Sequence, residues 1–331
     1  MALLAAPQFV WLEITGFCNL NCRHCYADSS PQGDHGTMTP EDWFRSIDDL
    51  AVLGARHCQF IGGEPTLHPD FPGLVRHARA RNMQVEVFSN LTHLTDEAWA
   101  ALRLTGVSLA FSYYSDDPGD HDDVTANRGA HRRTRANVEK AREYGIPLRG
   151  AVINVLKGQR GREGRRDLLD VGIRDVRTDK IRPFGRGANG AAPDIRKLCG
   201  RCGRNKMAIS PNGDVWPCVF ARWMPVGNVR EQSIREIYHG VAMQGARAEL
   251  AHVFPEKAQA GGDPSCLPDC GPSFETCAPQ LACAPDAVCG PTGESTGSGK
   301  AGESARRLTP PIMSPHRSVR YRRPGVAGTD C

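Results

Sequence analysis

Phe9-Val10-Trp11-Leu12-Glu13-Ile14-Thr15, followed by Gly16-Phe17-Cys18-Asn19-Leu20-Asn21-Cys22-Arg23-His24-Cys25-Tyr26, is the stretch on which the reading of this chain turns. Val10, Leu12 and Ile14 alternate with Trp11 and Glu13, the period-two pattern of a strand. Directly after it, three cysteines stand at C-x3-C-x2-C spacing in a loop. Thiolates are natural ligands for cluster iron. Three of them on a cubane of four irons leave one iron without a protein ligand. That open position can take a small molecule, as the open position of a catalytic zinc site does. A zinc loop or three unrelated core cysteines is the competing reading of the spacing alone.

Downstream, short apolar runs alternate with amphipathic ones. Strands are expected at His57–Ile61, Gln84–Ser89, Val107–Ser112, Leu148–Val155 and Val176–Ile181. Helices are expected at 40–54, Phe71–Arg81, Thr95–Leu104, Arg132–Tyr144 and Glu163–Val171. Thr39-Pro40-Glu41-Asp42 has the chemistry of a helix start, and Gly54 that of a stop. Repeated strand–helix alternation implies a parallel sheet with crossover helices. Periodicity does not say whether the sheet curls. After Gly185-Arg186-Gly187 the texture changes: Met207–Ser210 and Asp214–Cys218 flank Pro211-Asn212-Gly213 as a hairpin, and a short helix follows around Ser233–Tyr238.

Composition bounds the function. No run of about 18 apolar residues exists, so a membrane span is not expected. The apolar Met1–Val10 lacks a basic start, so a secretory signal is not expected either, and the chain reads as cytoplasmic. A net charge of +4 is too mild to argue for nucleic acid. Thirteen cysteines are the anomaly. They fall in clusters and are odd in number, so a disulfide framework fits less well than metal or cluster ligation in a reducing compartment.

The string Cys18-Asn19-Leu20-Asn21-Cys22-Arg23-His24-Cys25-Tyr26 resembles the signature of the radical S-adenosylmethionine family. That resemblance implies a partial (β/α)6 TIM-like barrel, with Cys18, Cys22 and Cys25 holding a [4Fe-4S] cluster. In the family the open iron chelates the methionine amine and carboxylate of S-adenosylmethionine. An electron from the cluster then splits a carbon–sulfur bond, and the resulting 5′-deoxyadenosyl radical takes hydrogen from the substrate. Further cofactor-binding residues are expected at strand ends. Gly62, Gly63, Glu64 and Pro65 follow the second strand, the glycines allowing close backbone approach and Glu64 suited to an ammonium. Ser89 and Asn90 after the third strand, and Ser112 after the fourth, fall where the family contacts the cofactor carboxylate or ribose. Tyr26 occupies the position whose backbone meets the adenine, and Arg182 reaches the cofactor or a substrate carboxylate.

A second thiol group is Cys199-x2-Cys202 with Cys218, which the hairpin brings back towards the pair. Together with Gly213 this resembles the first half of the SPASM extension of radical enzymes. The second half departs from the pattern: Cys266, Cys270, Cys277, Cys283 and Cys289 stand at 3, 6, 5 and 5 intervening residues. At least one auxiliary [4Fe-4S] cluster is implied, a structural zinc knot being the alternative. Cys58 reads as core, and Cys331 as an unliganded thiol. The expected domains are a radical core at 9–187, a Cys-rich auxiliary domain at 188–290 and a disordered tail at 291–331.

The resemblance implies a substrate that is a ribosomally synthesised peptide undergoing crosslinking, epimerisation or oxidation. The alternatives are a dehydrogenase, epimerase or decarboxylase acting on a small sugar or aminocyclitol, and, from another class, a zinc-bound interaction protein. Expected partners are an electron donor such as flavodoxin or ferredoxin and a separate peptide-recognition protein, since little sequence precedes the first strand.

Overall fold

The computed structural model describes residues 6–256. The expected tail at 291–331, together with Cys266, Cys270, Cys277, Cys283, Cys289 and Cys331, lies outside the described residues.

β1 (Phe9–Thr15) is buried along its whole length. Helix α1 (Pro40–Leu53) starts as its sequence dictates. The Thr39 side chain accepts from the Asp42 amide, the Asp42 carboxylate accepts from the Thr39 amide, and Gly54 ends the helix in the left-handed conformation. Its buried stripe of Trp43, Ile47, Leu50 and Leu53 faces the sheet. The alternation continues through β2 (His57–Gly62), α2 (Phe71–Ala80), β3 (Gln84–Ser89), α3 (Asp96–Leu102) and β4 (Val107–Tyr113). It ends with α4 (Pro118–Thr125), α5 (Ala130–Glu143), β5 (Leu148–Asn154), α6 (Gly161–Asp170) and β6 (Asp175–Lys180). Each of these six strands pairs in parallel with its sequence neighbour.

The expected hairpin forms β7 (Lys206–Ile209) and β8 (Asp214–Trp216), with β9 (Gly227–Asn228) beside it. It does more than close on itself. β7 pairs in parallel with β1, giving the order β6-β5-β4-β3-β2-β1-β7-β8-β9. β1 is therefore a central strand, which is why no residue of it is exposed. Helices α7 (Ile234–His239) and α8 (Val241–Val253) follow. The result is a partial barrel. Val10, Leu12, Ile14, Phe60, Val87 and Phe111 face the helices in one core. Phe9, Trp11, Ile61, Ala208 and Trp216 form another on the opposite face.

Helices α4 and α8 are the elements that the pattern does not announce. Pro118–Thr125 is mostly Asp, Gly and Pro, with little apolar periodicity. It starts because the Asp117 side chain caps the Asp120 amide at 3.0 Å. Among the described residues no helix is long and apolar enough to cross a membrane.

Candidate active site

The cysteine loop is held chiefly by its backbone, so its placement does not depend on the sulfurs. The Gly16 and Phe17 amides donate to the Asp34 carbonyl at 2.8 and 2.9 Å, and the Cys18 amide to Ser30 at 3.1 Å. From α4, the Thr125 and Val124 carbonyls accept from Asn21 at 3.2 Å and Arg23 at 3.0 Å. On the other side Arg186 acts as a clamp. Its amide donates to the Cys25 carbonyl at 2.9 Å, and its guanidinium to those of Cys22 at 2.8 Å and Ser29 at 2.6 Å. Gly185, at φ +53°, lets that clamp approach: a Cβ there would sit 2.5 Å from the carbonyl oxygens of Cys25 and Tyr26.

The three thiols face one cleft of about 800 Å³, part of it open to solvent. Its wall also includes Tyr26, Gly62, Gly63, Ser89, Asn90, Ser112 and Arg182, all expected from sequence, and His24, Phe88, Tyr114 and Lys180, which were not. Burial pushes the Cys18 thiol up to about 12, and raises Cys22 and Cys25 as well. Without cations the thiols stay protonated, so cluster binding must displace their protons. Among the described residues no three His, Cys, Asp or Glu side chains are spaced to grip a single metal ion. Three soft donors around a shared cleft fit a multi-iron body instead. Burial, with Arg186 nearby, lowers His24 to about 4, so its ring is neutral at pH 7, edge-on to Tyr114 at 5.3 Å.

Gly62 and Gly63 lock the second strand's end against this loop. The Gly63 and Glu64 amides donate to the carbonyls of Thr15 at 2.8 Å and Phe17 at 2.9 Å. A Cβ on Gly63 would lie 2.0 Å from the Phe17 oxygen. Glu64 and Pro65 are both buried and are not among the residues lining the cleft. One Glu64 oxygen accepts from the Thr66 amide at 3.1 Å, the Thr66 hydroxyl at 2.7 Å and the Ser89 hydroxyl at 2.8 Å. The other accepts from the Asn90 amide at 2.7 Å. Burial raises this carboxyl and the four hydrogen bonds oppose the rise. Glu64 therefore splices β3 to the β2 turn. Glu64→Gln sets an amide N–H₂ against one of these N–H or O–H donors. It should cost about 1–3 kcal/mol of stability, read by denaturant unfolding of the metal-free chain. Unchanged stability would mean that the carboxylate carries no such tie.

A second thiol group lies beyond an aromatic layer. Cys202 is hydrogen-bonded to both Cys199 and Cys218, so the three sulfurs converge. The bond from Cys202 lowers Cys199, with Lys206 and Arg182 adding positive charge. The Phe220 amide donates to Cys218 Sγ at 3.3 Å, and the Phe220 ring lies 5.1 Å from Tyr26 and 5.5 Å below the Arg182 guanidinium. Arg182 also pairs with buried Asp179 at 2.9 Å. No disulfide joins the described cysteines, Cys58 is buried in the core, and three convergent thiols suit an iron–sulfur cluster short of one ligand.

Comparison with known proteins agrees with this geometry. Residues 12–169 match the family model described as the radical SAM superfamily. Residues 12–169 form a radical SAM domain. Residues 199–271 match SPASM, described as an iron–sulfur cluster-binding domain. This radical SAM chain is 32% identical over 149 residues to AdoMet-dependent heme synthase of Methanosarcina barkeri, covering 45% of the chain and 43% of that protein. It is 25% identical over 272 residues to the antilisterial bacteriocin subtilosin biosynthesis protein AlbA of Bacillus subtilis, covering 70% of the chain and 60% of AlbA. It thus spans about half the length of these curated relatives. Streptococcus suis SuiB bound to precursor peptide SuiA shares the fold, with a TM-score of 0.64 and 15% identity over 82% of this chain and 75% of SuiB. The matched families imply a [4Fe-4S] cluster with S-adenosylmethionine and an auxiliary cluster domain.

Tyr114 and Arg186 were the site residues hardest to find from sequence. A tyrosine just past a strand end reads as packing, and the reach of an arginine into a loop 160 or so residues upstream leaves no local pattern. The signal available for Arg186 was its setting between Gly185 and Gly187, residues that permit close backbone approach.

Proposed function

We propose that this radical SAM enzyme modifies a ribosomally synthesised peptide by crosslinking, epimerisation or oxidation. In this reading residues 9–187 are the radical core, 188–290 the auxiliary domain and 291–331 a tail. Cys199, Cys202 and Cys218 hold an auxiliary cluster, and its fourth ligand comes from the stretch between Cys266 and Cys289. The observation that carries the reading is a short chain of contacts: Tyr26 on the cleft wall meets the Phe220 ring, and the Phe220 amide meets Cys218 Sγ. A substrate in the cleft then lies near a second electron acceptor. The kinship with AlbA, named for subtilosin biosynthesis, supports a peptide as that substrate, as does the fold shared with peptide-bound SuiB.

When bound, the cluster and S-adenosylmethionine supply a 5′-deoxyadenosyl radical. The chain's task is to place and protect it. The Gly62–Gly63 backbone admits the methionine end, Ser112 offers a hydroxyl, Ser89 holds Glu64 behind the wall, the Tyr26 backbone meets the adenine, and Phe88 and Tyr114 exclude water. Arg182 and Lys180 set positive charge on the wall, where a carboxylate of cofactor or peptide would settle. An external one-electron donor such as flavodoxin or ferredoxin completes the system, with a separate recognition protein for the peptide.

The test is mass spectrometry of anaerobic reactions with short peptides encoded beside the gene. Crosslinking or oxidation should appear as loss of hydrogen mass, and epimerisation as solvent deuterium uptake. If every such peptide stays unchanged while a small sugar or cyclitol is consumed, the peptide assignment is wrong.

A further inference from the structure

Asn90 carries more than the expected contact with cofactor. Its side-chain oxygen accepts from the Thr92 amide at 2.8 Å and from the Thr92 hydroxyl at 2.6 Å. A backbone N–H can only donate, so that atom of Asn90 must be the oxygen, and the amide orientation is fixed. Its nitrogen then donates to Asn19 Oδ1 at 2.9 Å and to Cys18 Sγ at 3.7 Å. Asn19 in turn donates to the Thr92 hydroxyl at 2.8 Å, which closes a ring of three side chains. An asparagine amide has two N–H groups and two lone pairs, and all four are committed. The backbone is committed too. Its N–H meets Glu64 at 2.7 Å, and its carbonyl accepts from Thr134 at 2.9 Å. No donor on Asn90 is left for a cofactor carboxylate, and only its backbone carbonyl keeps a spare lone pair.

What this arrangement does is aim an N–H at a cluster-ligand sulfur. The Leu20 amide aims a second at the same atom, at 3.4 Å. Hydrogen bonds to the sulfurs are among the levers that set cluster potentials. Reduction adds negative charge to the cluster and its thiolates, so a donor to sulfur favours the reduced state. We propose that Asn90 is a positioning residue for the radical cluster, its amide holding Cys18 Sγ and raising the cluster's reduction potential. The proposal rests on the reading of Cys18, Cys22 and Cys25 as cluster ligands.

The experiment is an EPR-monitored redox titration, with dithionite as reductant, of the reconstituted full chain, its Asn90→Leu variant and its Thr92→Val variant. The radical cluster is identified as the signal that changes when S-adenosylmethionine is added. At the wild-type midpoint, Asn90→Leu should lower the reduced-to-oxidised ratio of that signal about three- to tenfold. Tenfold corresponds to a one-electron midpoint about 59 mV more negative. Thr92→Val keeps the amide but frees it, and should give a smaller shift of the same sign. The auxiliary signal should not move. A fully loaded Asn90→Leu protein with the wild-type midpoint would overturn the proposal. If Asn90→Leu takes up no iron, Thr92→Val decides, an unchanged midpoint rejecting the role. A wild-type chain with no signal responsive to S-adenosylmethionine would instead defeat the cluster assignment itself, and this inference with it.

Discussion

Cys22→Ala should bring S-adenosylmethionine cleavage down to the level of a reaction without enzyme. The cubane depends on three thiolates, and with two the cluster either fails to assemble or opens a second iron to solvent. The Cys22 backbone is fixed independently of its sulfur, its carbonyl accepting from Arg186 at 2.8 Å and from the Cys25 amide at 3.2 Å. Alanine keeps both bonds, so the loop and the barrel remain while the ligand and its contact with Tyr114 are lost. Anaerobically reconstituted variant should therefore carry about four fewer irons per chain than wild type, while iron at the auxiliary site persists. The measurement is 5′-deoxyadenosine formed under dithionite, alongside iron and sulfide content. Equal 5′-deoxyadenosine from the two proteins would reject Cys22 as a ligand.

Much of this site could be read before any coordinates. The reason is that its parts lie at the ends of consecutive parallel strands, where local pattern and spatial position coincide. Cys18 to Cys25 follow β1, Gly62 and Gly63 end β2, Ser89 ends β3 and Ser112 lies in β4, so a correct strand register places them along one rim. Reasoning from pattern stops where a contact joins distant segments. Nothing in Lys206–Ile209 says that it will pair with β1, since a short apolar strand beside a turn fits a self-contained hairpin equally well. That pairing is nonetheless what brings the Cys199–Cys218 segment against the cleft. Glu64 shows a different limit. A carboxylate after two glycines looks like a charge offered to a ligand, yet Thr66, Ser89 and Asn90 consume its oxygens in the folded chain. Residue type announces chemistry, and only the full account of hydrogen-bond partners tells whether that chemistry is spent on the fold.

Cys218→Ala separates the two thiol sites functionally. Cys218 is buried, accepts the Phe220 amide at 3.3 Å and shares a hydrogen bond with Cys202. Losing it takes the auxiliary cluster from the four ligands proposed for it to three, which opens one iron to solvent at a site with no ligand to cap it and makes the cluster labile. The cysteine loop of the radical site draws its backbone bonds from Asp34, Ser30, α4 and Arg186, none of which involves Cys218, so its cluster should survive. The variant is therefore expected to lose the auxiliary iron and to stop modifying substrate, while still forming 5′-deoxyadenosine in an uncoupled reaction. That split is the informative result, because a general folding defect would abolish both activities together. A variant that retains full iron and full substrate turnover would show that Cys218 is no ligand. One that loses 5′-deoxyadenosine formation as completely as Cys22→Ala would show that the two sites are not separable. The Tyr26–Phe220 contact joins the two sites side by side while their backbones are anchored to different partners, and this makes the test sharp.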